Sequence, residues 1–259
     1  MNITILSSSP IPIRAFSTIS ALLILLHFFS IAPTPLSAGG QNEEDSFAQS
    51  RREMIEKDLR PRGIRDQRVL EAMSRVPRHL FVAEKHRISA YQDRPLPIGD
   101  GQTISQPYIV ALMTELLELK GSEKVLEVGT GSGYQAAVLS HLAREVYTIE
   151  IVPALAEKAA DILGRLGYKN VWVKTGDGFF GWQEKGPFDA ILVTAAAEKV
   201  PEPLWNQLRE KGRLVMPLGG EQRGQKLVRI RKKAGKQHVE NVTGVLFVPM
   251  TGAIQRETR

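Results

Sequence analysis

From residue 124 to residue 219 the chain switches repeatedly between short apolar runs and longer amphipathic stretches, and few folds accept that rhythm. KVLEV (124–128), EVYTIE (145–150), NVWVK (170–174), FDAILVTAA (188–196) and RLVMPLG (213–219) read as buried strands. Between them, residues 132–143, 153–167 and 201–210 space their apolar side chains as helices do. Strands joined through helices are parallel, because a crossover long enough to hold a helix brings the chain back to the same end of the sheet. The expectation is an α/β fold, a doubly wound and mostly parallel sheet with helices on both faces. The tail breaks the rhythm: QKLVRIRKK (225–233) and NVTGVLFVPM (241–250), joined across Ala234, Gly235 and Lys236, predict an antiparallel pair added to the sheet.

Upstream, residues 46–73 carry helical spacing interrupted at Pro61 and Gly63. VPRHLFV and YQDRPLPIGDG read as irregular structure, and residues 107–119 as a helix with Pro107 in its first turn. Residues 46–259 therefore form one domain: helices and a loop over 46–120, then the sheet over 121–259. Residues 1–45 are set apart as a leader, signal-like or marking a start codon upstream of the true one. They hold an apolar run over 19–32, shorter than the roughly 20 residues of a comfortable span.

Several functions are excluded early. The chain contains no cysteine, which removes disulfides, thiolate metal sites and cysteine nucleophiles. His27, His79, His86, His141 and His238 show no ligand spacing, so no metal is expected. A net charge of +6 permits acidic partners, but the basic clusters at 60–68 and 229–233 lack interleaved aromatics and read as solvated faces, not a nucleic-acid groove. Trp172, Trp182 and Trp205 read as packing residues.

The chemistry concentrates in the first strand-to-helix turn, VLEVGTGSGYQ. Gly129, Gly131 and Gly133 allow a tight turn and let a ligand lie against bare backbone. The spacing is GxGxG, not the GxGxxG of dinucleotide sites, and Glu127 precedes it. A carboxylate there repels a pyrophosphate but suits a cationic ligand end, such as the amino group and sulfonium of S-adenosyl-L-methionine. Glu150 closes the next strand, where ribose hydroxyls are bound in open α/β sheets, and Asp177 follows the one after, where an adenine amino group could donate. Three carboxylates around one glycine turn favour a methyltransferase over a dehydrogenase. A serine hydrolase fails, since Thr130 stands where the G-x-S-x-G elbow needs glycine. A cofactor-binding module without activity, and a methyltransferase acting on a small molecule or nucleic acid, stay open on these residues alone.

VLEVGTGSGYQAAVL, VYTIE, GDG, PFDAILVTAAA and above all GQTISQPYIVALMTELLEL resemble the bacterial protein-L-isoaspartate O-methyltransferases, from about Met54 to about Thr251. The resemblance implies a Rossmann-like class I methyltransferase domain. Its reaction is methyl transfer from S-adenosyl-L-methionine to the free α-carboxylate of isoaspartyl residues in damaged proteins, leaving S-adenosyl-L-homocysteine. No metal, no nucleic acid and no stable membrane association are expected for residues 46–259, and a cytoplasmic enzyme is expected because S-adenosyl-L-methionine is made in the cytosol. Export or tethering through residues 19–32 is the alternative. The resemblance places the active-site serine at Ser105. Cofactor contacts fall at Gln102, Thr103, the turn Glu127, Gly129, Thr130, Gly131, Ser132 and Gly133, then Glu150, Ile151, Asp177, Gly178 and Thr251. Pro217 and Leu218, ending a strand near the same edge, are candidates for contact with the peptide.

Ser105 is then expected to orient the acceptor carboxylate, on a flexible loop from Gly99 that covers the cofactor. A helix-capping role for Thr103 or Ser105 would be compatible with that.

Overall fold

Alternate residues of each central strand face opposite layers, and the two layers define the molecule. The computed structural model describes residues 38–220 and 224–257. The leader expected over 1–37 lies outside them, while the first helix, α1 (Ala38–Glu53), begins within the range set aside with it and runs into a π-helical turn, Met54–Leu59. Then come α2 (Gln67–Arg75), two short 3₁₀ turns, and a hairpin of β1 (Leu96–Gly99) with β2 (Gln102–Ile104). α3 (Pro107–Leu116), β3 (Lys124–Val128), α4 (Tyr134–Ser140), β4 (Glu145–Glu150), α5 (Pro153–Arg165), β5 (Val171–Thr175), β6 (Phe188–Val193) and α6 (Glu202–Gln207) make up the alternating part. β7 (Leu208–Gly220), β8 (Gly224–Lys233), β9 (Lys236–Val245) and α7 (Ile254–Glu257) complete the chain.

The main sheet has seven strands in the order β5-β4-β3-β6-β7-β8-β9. β5 to β7 run parallel in space; β7, β8 and β9 form an antiparallel meander. Val125, Val146, Ala190, Leu192 and Val215 face the layer built from the N-terminal helices, α3 and α4. Leu126, Val128, Ile149, Ile191, Val193, Leu214 and Met216 face the layer holding Phe179, Leu204 and the C-terminal segment. The strand order reverses direction between β3 and β6, which opens a crevice at their carboxyl ends where α/β sheets hold ligands.

Three expectations need correction. Residues 96–104 are not an open loop: Leu96 pairs with Ile104 and Pro97 with Thr103 in a hairpin turned by Asp100 and Gly101, both at positive φ. Residues 208–212 belong to β7 and not to the preceding helix; pairing with β6 jumps from Phe188↔Leu208 to Ala190↔Arg213, and this irregular, charged start carries no strand pattern. The last strand begins at Lys236 and stops at Val245. It is an edge strand exposed along nearly its whole length, so no apolar alternation marks it, and residues 246–250 leave the sheet.

Candidate active site

The glycine turn is shaped by what a side chain would hit. Gly129 has φ +98°, and a Cβ there would lie 2.2 Å from Thr194 Oγ1. That hydroxyl donates to Gly129 O at 2.7 Å, clasping the turn from the end of β6. Gly129 N donates to Ile149 O at 2.8 Å, and Gly133, left-handed at φ +86°, turns the chain into α4. Sequence reading passed over Thr194, whose one signal is a hydroxyl directly after a fully apolar strand.

Glu150 is buried at the end of β4. Its Oε2 accepts from Gly131 N at 2.8 Å and its Oε1 from Val152 N at 2.9 Å. Each oxygen keeps a lone pair for a further donor. Asp177 is held differently: Oδ1 accepts from Phe179 N at 2.9 Å, and Oδ2 from Ala253 N at 2.7 Å. It therefore locks the C-terminal segment against the loop after β5, and the adjoining Gly178, not the Asp177 side chain, lines the cleft.

Glu127 departs from its expected role. The alternation that turns Leu126 and Val128 to one layer turns Glu127 to the other, fully buried beside Thr148. The Thr148 hydroxyl donates to Glu127 Oε2 and in turn lies 2.6 Å from the Thr130 hydroxyl. Burial pushes the carboxyl up to about 8, against the bond from Thr148 and with a smaller push from Glu150. At neutral pH it is predominantly a neutral acid beneath the turn, not a carboxylate facing a cation. Thr130 likewise points inward.

These ends surround an open cleft. Val128, Gly129, Glu150, Ile151 and Gly178 line its sheet side, Gln102 of β2 one rim, and residues 248–251 with Thr251 the other. Gly131 and Ser132 sit at the back, against a separate hollow with Ile98 and Leu155, while Thr103 is exposed on β2. Ser105 opens instead onto a second, larger groove with Arg62, Tyr108, Gln225 and residues 243–247.

Neither Thr103 nor Ser105 caps α3. Its N-cap is Gln106, without a side-chain cap bond, and the Tyr108 N–H is taken by Asp93 Oδ1 at 2.8 Å. Asp93 also accepts from Gln106 Nε2 at 2.7 Å and pairs with Arg62, whose guanidinium lies 3.5 Å from the Tyr108 ring centroid. One carboxylate thus fixes the frame around Ser105, and Arg62, exposed as expected, also lines this groove.

A model of the protein-L-isoaspartate(D-aspartate) O-methyltransferase family matches residues 49–255. The chain belongs to this family. It is 54% identical over 230 residues to protein-L-isoaspartate O-methyltransferase 2 of Shewanella sediminis, covering 89% of this chain and 92% of that one. With protein-L-isoaspartate O-methyltransferase 1 of Syntrophobacter fumaroxidans it shares 56% over 208 residues, 80% of this chain and 96% of the other. A solved protein-L-isoaspartate O-methyltransferase superposes with a TM-score of 0.73 at 31% identity, covering 79% of this chain and 67% of that chain. A Plasmodium falciparum protein assigned to the same family, solved with S-adenosyl-L-homocysteine, gives 0.67 at 28%, covering 78% and 98%.

Within this family fold, the two remaining candidates are placed differently. Pro217 is buried in β7 opposite Leu227, whereas Leu218 lines a hollow beside Lys226 and Asn241 that shares Gln225 and Thr243 with the Ser105 groove. Among the described residues no group of three or more His, Asp or Glu side chains could hold a metal.

Proposed function

We propose that this chain transfers the methyl group of S-adenosyl-L-methionine to the free α-carboxylate of L-isoaspartyl residues in damaged proteins and peptides, opening their repair. The observation that carries the reading is the β1–β2 hairpin. Gln102 on it lines the glycine-turn cleft, and Ser105, just beyond it, lines the larger groove. One short segment therefore stands between a place for a donor and a place for a chain-like acceptor.

The first cleft suits the cofactor. Gly129 and Gly178 leave room where any Cβ would collide with Thr194 or Val128. Glu150 has acceptor capacity for ribose hydroxyls, and Ile151, Ala195 and Met250 offer apolar walls. When bound, S-adenosyl-L-methionine supplies an electrophilic methyl carbon on a sulfonium. Gln102 and Thr251 would close its two rims, with Gly131, Ser132 and Gly133 setting the turn behind it and Asp177 acting through the backbone it holds.

The acceptor needs little activation. An α-carboxylate has a pKa near 3.5 and is ionised at pH 7, so no general base has to be supplied. Placement does most of the work: holding the two reacting atoms in line is worth up to about 7–11 kcal/mol. Ser105 orients the acceptor by a donated hydrogen bond, and Asp93 keeps its frame.

We place the reaction in the cytoplasm, where the methyl donor is made. Among the described residues no helix is long and apolar enough to cross a membrane, and the apolar run at 19–32 lies outside them.

The test is methyl transfer from labelled cofactor to two peptides that differ only in an isoaspartyl or an aspartyl linkage. Label on the isoaspartyl peptide alone, released by mild base as an ester, is expected. Cofactor binding without label on either peptide would turn the reading toward another acceptor.

A further inference from the structure

β9 stops at Val245, yet the wall between the two clefts is built from the residues just past it. Phe247 faces the Ser105 groove; Val248, Pro249, Met250 and Thr251 face the cofactor cleft. What holds this strap in line after its ladder ends is the side chain of Gln225. Gln225 lies on β8, opposite Gly219 of β7 and opposite Val245, the last residue of β9. It is 5% exposed. Its Nε2 donates to Phe247 O at 3.0 Å, and its Oε1 accepts from Phe247 N at 2.6 Å. A primary amide carries the same donor and acceptor as a peptide unit, so the side chain supplies one more antiparallel rung where the backbone of β9 can no longer do so.

The other anchors of the strap grip its far side. Ala196 N donates to Val248 O at 2.9 Å, Met250 N donates to Ala196 O at 2.7 Å, and Ala253 N donates to Asp177 Oδ2 at 2.7 Å. The strap is therefore fastened to the end of β6 and the loop after β5 on its cofactor side, and to Gln225 on its acceptor side. This division gives the amide a role that simple burial does not.

We infer that Gln225 is a positioning residue for methyl transfer, setting the Phe247 wall of the acceptor groove while leaving the cofactor wall to its own anchors. The inference rests on the two clefts being donor and acceptor sites as proposed above. A merely structural glutamine would weaken both clefts together or neither. A positioning one separates them.

The experiment compares the full chain with Gln225→Met, which keeps the volume and removes both bonds, and with Phe247→Leu, which leaves the strap backbone and alters only the groove face. For each, the KM and kcat for an isoaspartyl peptide, the Kd for S-adenosyl-L-homocysteine and the melting temperature are measured. Two lost hydrogen bonds correspond to an increase in peptide KM of about tenfold, and cofactor Kd is expected to stay within about twofold in both variants. An unchanged peptide KM in Gln225→Met, or a loss of cofactor and peptide affinity in equal measure, overturns the inference while the function stands. If Gln225→Met does not fold, Phe247→Leu carries the test, and an unchanged peptide KM there overturns it. A full chain that methylates no isoaspartyl peptide overturns the function and this inference together.

Discussion

The two clefts meet at one hairpin but are made in different ways. The cofactor cleft is built from strand ends: Gly129 follows β3, Glu150 closes β4, Gly178 follows β5, and Ala195 follows β6. Each is placed by a rigid ladder, and the turn is fastened by backbone bonds to Ile149 and by the Thr194 hydroxyl. The Ser105 groove is framed differently. One wall comes from the ends of β8 and β9 and the chain just beyond; the other comes from Arg62, the residues flanking the β1–β2 hairpin and the start of α3, and this wall is held by side chains, Asp93 fixing the Ser105 frame. On the proposed function, the part common to every substrate is placed chiefly by strand ends, and the part facing the varying one also by long-range side-chain bonds.

The sharpest way to break this contrast is to place the same methyl group in each half. Gly129→Ala puts a Cβ against Thr194 in a left-handed backbone, whereas Gly101→Ala at φ +70° meets nothing within 4 Å. Combining strain with overpacking, Gly129→Ala should cost about 2–5 kcal/mol and Gly101→Ala about 1–2 kcal/mol. Calorimetric titration with S-adenosyl-L-homocysteine should show affinity lost by at least about tenfold in the first and nearly kept in the second. Equal losses would mean that the hairpin, not the sheet, shapes the cofactor cleft.

Next in size, Ser105→Ala should lower kcat by about 10- to 100-fold, the worth of one hydrogen bond to a charged group. Cofactor affinity should stay nearly intact. Steady-state kinetics alongside titration separate the two, and a variant with normal kcat at saturation but weakened cofactor binding would move Ser105 into the other cleft. Asp93→Asn keeps an acceptor for the Tyr108 N–H but removes the charge facing Arg62, so peptide KM should rise by a few-fold with kcat less affected.

A last prediction, read in stability and not in turnover, probes the layer beneath the turn. Glu127 has its carboxyl raised to about 8 by burial, so the folded state holds a proton that the unfolded chain releases near pH 4.5. That preference stabilises the fold fully below pH 4.5, and the stabilisation is lost as pH rises toward 8, at a limiting slope of about 1.4 kcal/mol per pH unit. Glu127→Gln should flatten the fall of melting temperature between pH 5 and pH 8. An unaltered slope in the variant would show that Glu127 is already ionised in the fold.

The same contrast explains what the sequence disclosed. β3 and β4 occupy the ranges expected, Lys124–Val128 and Glu145–Glu150, because both are buried on two faces and read as mostly apolar runs of strand length. The glycines and Glu150 announce themselves through spacing around those runs. Ser105 was singled out by a segment specific to the family; the residues by themselves gave it no role. Asp93, Thr194 and Arg62 were not legible, since each acts across the chain: Thr194 reaches Gly129, and Arg62 reaches Asp93 and Tyr108, with nothing local to mark the pairing. Glu127 was misread because its position before the glycines does not say which layer of the sheet it faces. The start of β9 was hidden by exposure on both faces, which removes the alternation that betrays a strand.

The strap that closes the cofactor cleft comes from residues 248–251, near the end of the chain, although the glycine turn is complete more than a hundred residues earlier. On the ribosome the sheet center, the turn and Glu150 are available long before that rim exists. A nascent or prematurely released chain can thus carry the whole glycine-rich signature and still offer no enclosed place for a methyl donor. The rim is made after the turn it faces, so a chain released before residue 248 lacks that side of the cleft.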